Sequence, residues 1–465
     1  MHLTRRRFIG DATALAAAGL SARRVGAADL PSRGEFIVRG AHVLTMDPAL
    51  GDIARGDIHV RDGEIVAVGT DLSAPGSPTI DARAMIALPG LIDTHNHLWN
   101  STLRSLVREG PEKGYFPTVL ALGKEYAPQD TYRGVRLGCA ELIYSGVTTV
   151  HDWAHNIRSP AHADADVRAL IDTGIRGRFS YGTYQGGPAP DETMDIADLR
   201  RMHRNWADYA SEGRLALGMA SRSVSTSPRG SVTLPALHRD WEAARSLALP
   251  ITIHTGGKGI VEILEREGLL ARDVQLINTT AWDEADRARI AKAGAHVSIT
   301  PHSEMRYSYG LPRALELLRL GLKVSLAMDT APVAGSNDLF SAMRLMMDTQ
   351  FVRSRDPLSI SARQVLEMAT INGAWDLGIA DRVGSLTPGK RADLILVRAN
   401  DLNMAPLGDP VTAIVRSAQP HNVDTVVVDG RVLKRDGRLT ALDPDEIVAE
   451  AAESLAGLRE RAHWS

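Results

Sequence analysis

Through the middle of the chain, short apolar runs rich in β-branched residues alternate with longer stretches whose apolar positions recur every three or four residues. The first pattern predicts strands and the second amphipathic helices. Eight runs read as strands: ALPGLIDTHNH, GVTTVHDW, GRFSYG, RLALGMAS, PITIH, VQLIN, HVSIT and KVSLAMD. Segments between them, such as GIVEILEREGLL and LPRALELLRLG, read as helices. Strands joined through helices pair in parallel, and eight of them close most economically into a TIM-like (β/α)8 barrel, expected over residues 86–384.

Both ends of the chain have a different texture. EFIVRGAHVLTMD, GDIHVRDGEIVAVG and PTIDARAMIAL near the start, and GKRADLILVRAN and DTVVVDGRVLKRDGR near the end, are alternating runs broken by tight turns. Asp62-Gly63, Asp429-Gly430 and Asp436-Gly437 are hairpin signals, because both turn positions tolerate positive φ. Residues 35–85 and 385–440 are therefore expected to form one small β-sandwich domain built from both termini, with a helical segment at 441–465. The whole is an α/β protein.

Composition narrows the function classes. With 465 residues, 44% hydrophobic and 23% charged, the chain is ordinary globular material. Lys plus Arg number 53 against 56 Asp plus Glu, a net charge of -3, which offers no basic footprint for nucleic acid. The one cysteine, Cys139, excludes an intramolecular disulfide and any cysteine-based metal cluster, and its helical context reads as core. No apolar stretch reaches the ~20 residues of a membrane-spanning helix. Residues 1–27 combine Arg5-Arg6-Arg7, an apolar run from Ala12 to Leu20 and a small-residue end, which predicts a twin-arginine-type export signal and a periplasmic destination.

In a (β/α)8 barrel the chemistry lies at the C-terminal ends of the strands. His95, His97, His151, Asp152, His254, Asn278 and Asp329 all fall there. His95 and His97 are two apart in an extended run, so both rings point the same way. With His254 and Asp329 they make three imidazoles and a carboxylate, a ligand set for zinc or another divalent ion (Fe, Mn or Co) with a position left open for water.

PGLIDTHNH, PITIH, SLAMD and the late GSLTPGKRADLILV resemble the amidohydrolase superfamily, over about residues 35–440. The nearer resemblance is to the branch containing cytosine deaminase and the triazine hydrolases. It implies one metal ion held by His95, His97, His254 and Asp329. The two-metal members use a carbamylated lysine at strand four, and no lysine occurs between Lys124 and Lys258. Two departures bear on mechanism. The deaminase-like members carry a proton-shuttling glutamate where this chain has Gly257, and a histidine at strand six where it has Asn278. An amide can donate a hydrogen bond but cannot protonate a leaving group, so Asn278 is expected to orient or to stabilise an oxyanion.

These losses weigh against ordinary nucleobase deamination and leave amide, carbamate, lactam or ester-like cleavage open, with Asp329 as base. Two alternatives stand beside that reading: deamination or hydrolytic dehalogenation of a nitrogen heteroaromatic ring, and an exported metal-loaded binding protein without turnover. His302 and Glu304, after strand seven, are candidates to replace the missing acid and base, their spacing of two allowing both to face the pocket. Trp99, His151, Trp153, Tyr181, Tyr184 and Tyr307 lie near strand mouths and are candidate walls of a substrate pocket. The expected partners are a small-molecule substrate and further copies of the chain in a homo-oligomer, with no nucleic acid and no membrane anchor.

Overall fold

The structure, a computed structural model, describes residues 30–464 apart from 109, 111, 185 and 225–231. The expected export signal lies outside the described residues. All eight expected barrel strands form: β1 (Leu91–Asn96), β2 (Val147–Ala154), β3 (Arg176–Tyr181), β4 (Leu215–Ser221), β5 (Ile251–His254), β6 (Val274–Ile277), β7 (His296–Ile299) and β8 (Ser325–Leu326). They pair in parallel in chain order. The ring closes beyond the short β8, where the Asp329 amide donates to the His95 carbonyl (2.9 Å) and the His97 amide to the Asp329 carbonyl (2.7 Å). Closure therefore ties two expected ligand residues of β1 directly to the third.

Under that mouth the barrel interior holds a polar layer. Thr94 meets Ser298 (2.7 Å) and Ser325 (2.8 Å), His151 meets Ser180 (2.7 Å), and Thr252 donates to Gln275 (2.8 Å). Every one of these side chains is buried, so the satisfied hydrogen bonds offset their desolvation and lock the strands in register.

The β-rich ends combine into a separate domain, a single mixed sheet of nine strands. Phe36–Val43 runs antiparallel to Ile53–Arg61 and parallel to Met85–Pro89, which pairs antiparallel with Leu394–Arg398 from the other end of the chain. Val38, Val60, Ile65, Leu394, Leu396 and Val427 form its own apolar core. All three Asp-Gly turns have positive φ at both residues, as primed hairpin turns require. The run ALPGLIDTHNH is two strands instead of one: Met85–Pro89 belongs to the terminal sheet, Leu91–Asn96 to the barrel, and the chain crosses at Gly90. A Cβ there would lie 2.1 Å from the Thr148 side chain, so only glycine allows the close passage.

Buried ion pairs join the two domains. Arg176 on β3 holds Asp393 (2.6 Å) and Asp429 (3.3 Å), and Asp429 also takes Arg391 (2.6 Å). The helix Pro444–Arg461 docks on Pro128–Tyr144 through Arg136 to Glu446 (3.0 Å) and Glu450 (2.7 Å). Cys139 is buried in the latter helix, as its context predicts. Among the described residues no helix is long and apolar enough to cross a membrane.

Candidate metal centre

His95 and His97 leave the end of β1 on one side, as their spacing predicts, and meet His254 from β5 and Asp329 from beyond β8. One ligand atom from each lies within 4.8 Å of all the others, the one such cluster among the described residues. Nε2 of His95 and Nε2 of His97 stand 3.2 Å and 3.3 Å from the same oxygen of Asp329, and the Nε2 atoms of His254 and His95 are 3.2 Å apart.

The chemistry of this donor set fits a cation. Nδ1 of His97 faces the Trp153 carbonyl at 3.2 Å, and a carbonyl can only accept, so Nδ1 carries the proton and Nε2 presents a lone pair. That lone pair faces a carboxylate oxygen, and two acceptors at such a distance need positive charge between them. Burial holds His95 down to about 4 and His254 well below the ordinary histidine value, which keeps both imidazoles neutral, the form that can bind a cation. Burial works to raise the Asp329 carboxyl, but its close contacts with the His95 and His97 rings outweigh it and leave it well below the usual range. Asp329 (φ 68°) and Asn278 (φ 69°) both occupy the left-handed region, which short polar side chains tolerate and which recurs at functional sites.

A buried support lies behind the ligands. Asp93 accepts from the Asn96 amide (2.8 Å) and the Met328 backbone (3.0 Å), bracing β1 against the segment that carries Asp329. Burial pushes its carboxyl up to about 7. Trp153 roofs the cluster, its ring centroid 4.1 Å from His254 and 5.1 Å from His95.

Of the other expected residues, the structure brings some to the centre and not others. Asn278 is buried beside the strand-six mouth, one Nδ2 hydrogen donated to Thr300 Oγ1 (3.0 Å). Glu304 is fully buried, accepting from the Thr279 amide (2.8 Å), and burial pushes its carboxyl up to about 8. His302 diverges from it. The pair lies on the helix Pro301–Arg306, where a spacing of two turns side chains to opposite sides, and His302 bonds Ser341 instead (3.0 Å). His151 is below the pocket, both ring nitrogens engaged by Thr94 and Ser180. Tyr181 points out of the barrel to Asp198 (2.9 Å), because its neighbour Ser180 points in. Trp99 packs on Tyr126 and donates to His155 (3.1 Å), a core position behind the site. Tyr184 lies under the Arg158 guanidinium.

Tyr307 does face the mouth, in an aromatic set that strand-end reasoning missed. It stacks on Phe116 and meets Tyr115 and Tyr309, whose ring centroids are 5.6 Å and 5.5 Å away. Phe116 is 50% and Tyr309 42% exposed, so the set forms an open rim. Tyr115 is linked inward, its hydroxyl accepting from Asn100, which in turn accepts from Thr330 beside Asp329. The adjacent aromatics Tyr115-Phe116 were the available signal, but they lie in the long segment after β1 and far from any strand end.

A model of the amidohydrolase family matches residues 86–433, three quarters of the chain and all four ligand positions. The chain belongs to the amidohydrolase family. With that membership comes the enzyme class, a hydrolase of carbon–nitrogen bonds other than peptide bonds. Among its relatives are the 5'-deoxyadenosine deaminase of Methanosarcina mazei, 29% identical over 92% of this chain and 99% of the relative, and the 5-methylthioadenosine/S-adenosylhomocysteine deaminase of Desulforamulus reducens, 29% identical over 91% and 99%. The amidohydrolase also shares its fold with a zinc-bound adenosine deaminase from Xanthomonas campestris (TM-score 0.82, 21% identity, covering 92% of this chain and 100% of that one). An atrazine chlorohydrolase from Arthrobacter aurescens complexed with zinc is similar at TM-score 0.80 and 24% identity, over 90% and 100%.

Proposed function

We propose that the chain is a mononuclear, zinc-dependent amidohydrolase that opens an amide, carbamate or lactam carbon–nitrogen bond in a small organic molecule. The observation that carries this reading is the convergence of three imidazoles and one carboxylate within 4.8 Å, beside an amide donor in place of an acid. A divalent ion held there supplies an acidified water and an electrophilic contact for the substrate's oxygen.

The remaining work belongs to the chain's own residues. Asp329 takes a proton from the attacking water as its oxygen bonds to the carbonyl carbon. The side-chain N–H of Asn278 donates to the oxygen on which charge develops, and adds no charge of its own. As the carbon–nitrogen bond breaks, the leaving nitrogen needs a proton. Gly257 cannot give one, and Glu304, kept neutral by burial and held on the amide of Thr279, the residue after Asn278, is the acid we assign.

The relatives' names favour a second reading, hydrolytic deamination of an aminated heteroaromatic ring, in which Glu304 would serve the departing ammonia. Metal analysis of the purified chain together with a screen separates the two. One metal equivalent per chain and turnover of amides, carbamates or lactams is expected. Two ions per chain at full activity would reject the mononuclear centre, and ammonia release from heteroaromatic amines with no action on carbonyl compounds would transfer the function to the second reading.

A further inference from the structure

Beside the metal centre a cavity of about 420 Å³ opens between the segments that follow β5, β6 and β7. Three cations line it, one from each segment: Lys258, Arg287 and Arg313. Asp283 is the one carboxylate on its wall. Asp283 is already committed, its oxygen capping the helix Glu284–Ala293 through the Asp286 amide (2.8 Å).

The two arginines are held in place without being neutralised, and Lys258 is exposed. Arg287 donates to the Trp282 carbonyl (2.9 Å) and Arg313 to the Thr280 carbonyl (3.2 Å), bonds that fix the guanidinium groups while leaving other N–H donors free. Arg313 pairs at 3.7 Å with Glu316, but Glu316 is shared with Arg353 at 2.6 Å. Lys258 and Arg287 form no ion pair among the described residues. Burial, with smaller contributions from Arg353 and Arg287 that outweigh Glu316, pushes the Arg313 guanidinium below its ordinary value.

This cavity adjoins the reaction site. Gly256, on its wall, is two residues from the ligand His254, and a Cβ there would be 3.4 Å from Cβ of Asn278. Thr280 is two residues beyond Asn278, and Tyr309 belongs to both the cavity and the aromatic rim. Gly256 and Gly257 place no side chain between the metal ligands and the cations.

We propose that this cavity is a subsite of the catalytic pocket for an oxyanionic group, a carboxylate or a phosphate, carried by the substrate away from its reacting carbon. The proposal deepens the hydrolase reading and rests on it for the word substrate, while the anion site itself can be tested without turnover. Two measurements on the metal-loaded chain test the proposal, the first of them without turnover.

The first is calorimetric titration with inorganic phosphate and, separately, with succinate, in the parent and in Lys258→Gln/Arg287→Gln. Saturable binding of at least one anion is expected, weakened by added salt and reduced tenfold or more in the double variant, with metal content retained. Phosphate alone or succinate alone identifies which group the site takes. No saturable binding, or binding that persists in the double variant and so belongs to the metal centre, overturns the proposal. The second compares matched substrates, such as an N-carbamoyl amino acid and its neutral amide, or adenosine and its 5'-monophosphate. The parent should prefer the anionic member and the double variant should lose at least tenfold of that preference, chiefly in KM. An undiminished preference overturns the subsite. Anion binding that follows the prediction in a chain inert on every substrate overturns the hydrolase reading and leaves the anion site standing.

Discussion

Glu304 shows how a single position can have its chemistry set by burial. A carboxyl raised to about 8 from its ordinary 4.5 is protonated at neutral pH and can act as an acid there. Turnover should therefore fall as pH rises through about 8, and Glu304→Gln should remove that limb while lowering turnover by ~10²-fold or more. The sign for stability is the same. The folded state holds a proton that the unfolded chain releases above 4.5, so this group's contribution is full below 4.5 and is lost as pH rises through about 8. Thermal melts of Glu304→Gln across that window should lack the decline. For Asn278, in the oxyanion role proposed for it, Asn278→Ala is expected to reduce turnover by ~10²-fold with metal content unchanged, checked by steady-state rates on metal-assayed protein. Equal turnover in the variant would remove Asn278 from the oxyanion role. At this scale the ligands were legible because a two-residue spacing on a strand has one geometric meaning. His302 and Tyr181 were not, because which way a side chain points depends on whether its segment is helix or strand and on which neighbour faces inward.

Between elements, the polar contacts decide how strands from distant parts of the chain are held together. Arg176 on β3 is buried between Asp393 and Asp429 of the terminal sheet, some two hundred residues later. Removing one partner of such a group leaves uncompensated buried charge, at a cost of about 3–5 kcal/mol. Arg176→Met should lower the denaturant midpoint accordingly, and a change below about 1 kcal/mol would show that Arg391 and Arg33 already satisfy Asp429. The eight strands and three Asp-Gly hairpins were readable from alternation and turn chemistry. The split of the first run at Gly90 was not, because periodicity continues across it and only the contact with Thr148 shows where one sheet ends.

Across the whole molecule, the barrel brings its four ligands together from positions 95 to 329, so the metal centre exists only in the closed ring. Loss of the ion should be felt globally: chelation is expected to lower the melting temperature, and readdition of zinc to restore it, since an ion that binds only the folded state stabilises it by mass action. A melting temperature indifferent to chelator would count against the site. We propose export by the twin-arginine route, supported by Arg5-Arg6 followed by an apolar run. Arg5→Lys/Arg6→Lys should leave the protein in the cytoplasm on fractionation, and unchanged export would end the proposal.

The sequence by itself determined the barrel, the companion sheet from both termini, and which four residues can hold a metal, because strand period, turn chemistry and ligand spacing are local properties of the chain. Only the tertiary structure decided which aromatics line the mouth, that Glu304 is buried on the Thr279 amide while His302 turns away, and that Lys258, Arg287 and Arg313 meet at one cavity. Those facts depend on loops and helix faces from separate βα units converging in space, and burial, which sets a group's proton affinity and its partners, is a property of that convergence and of no single segment.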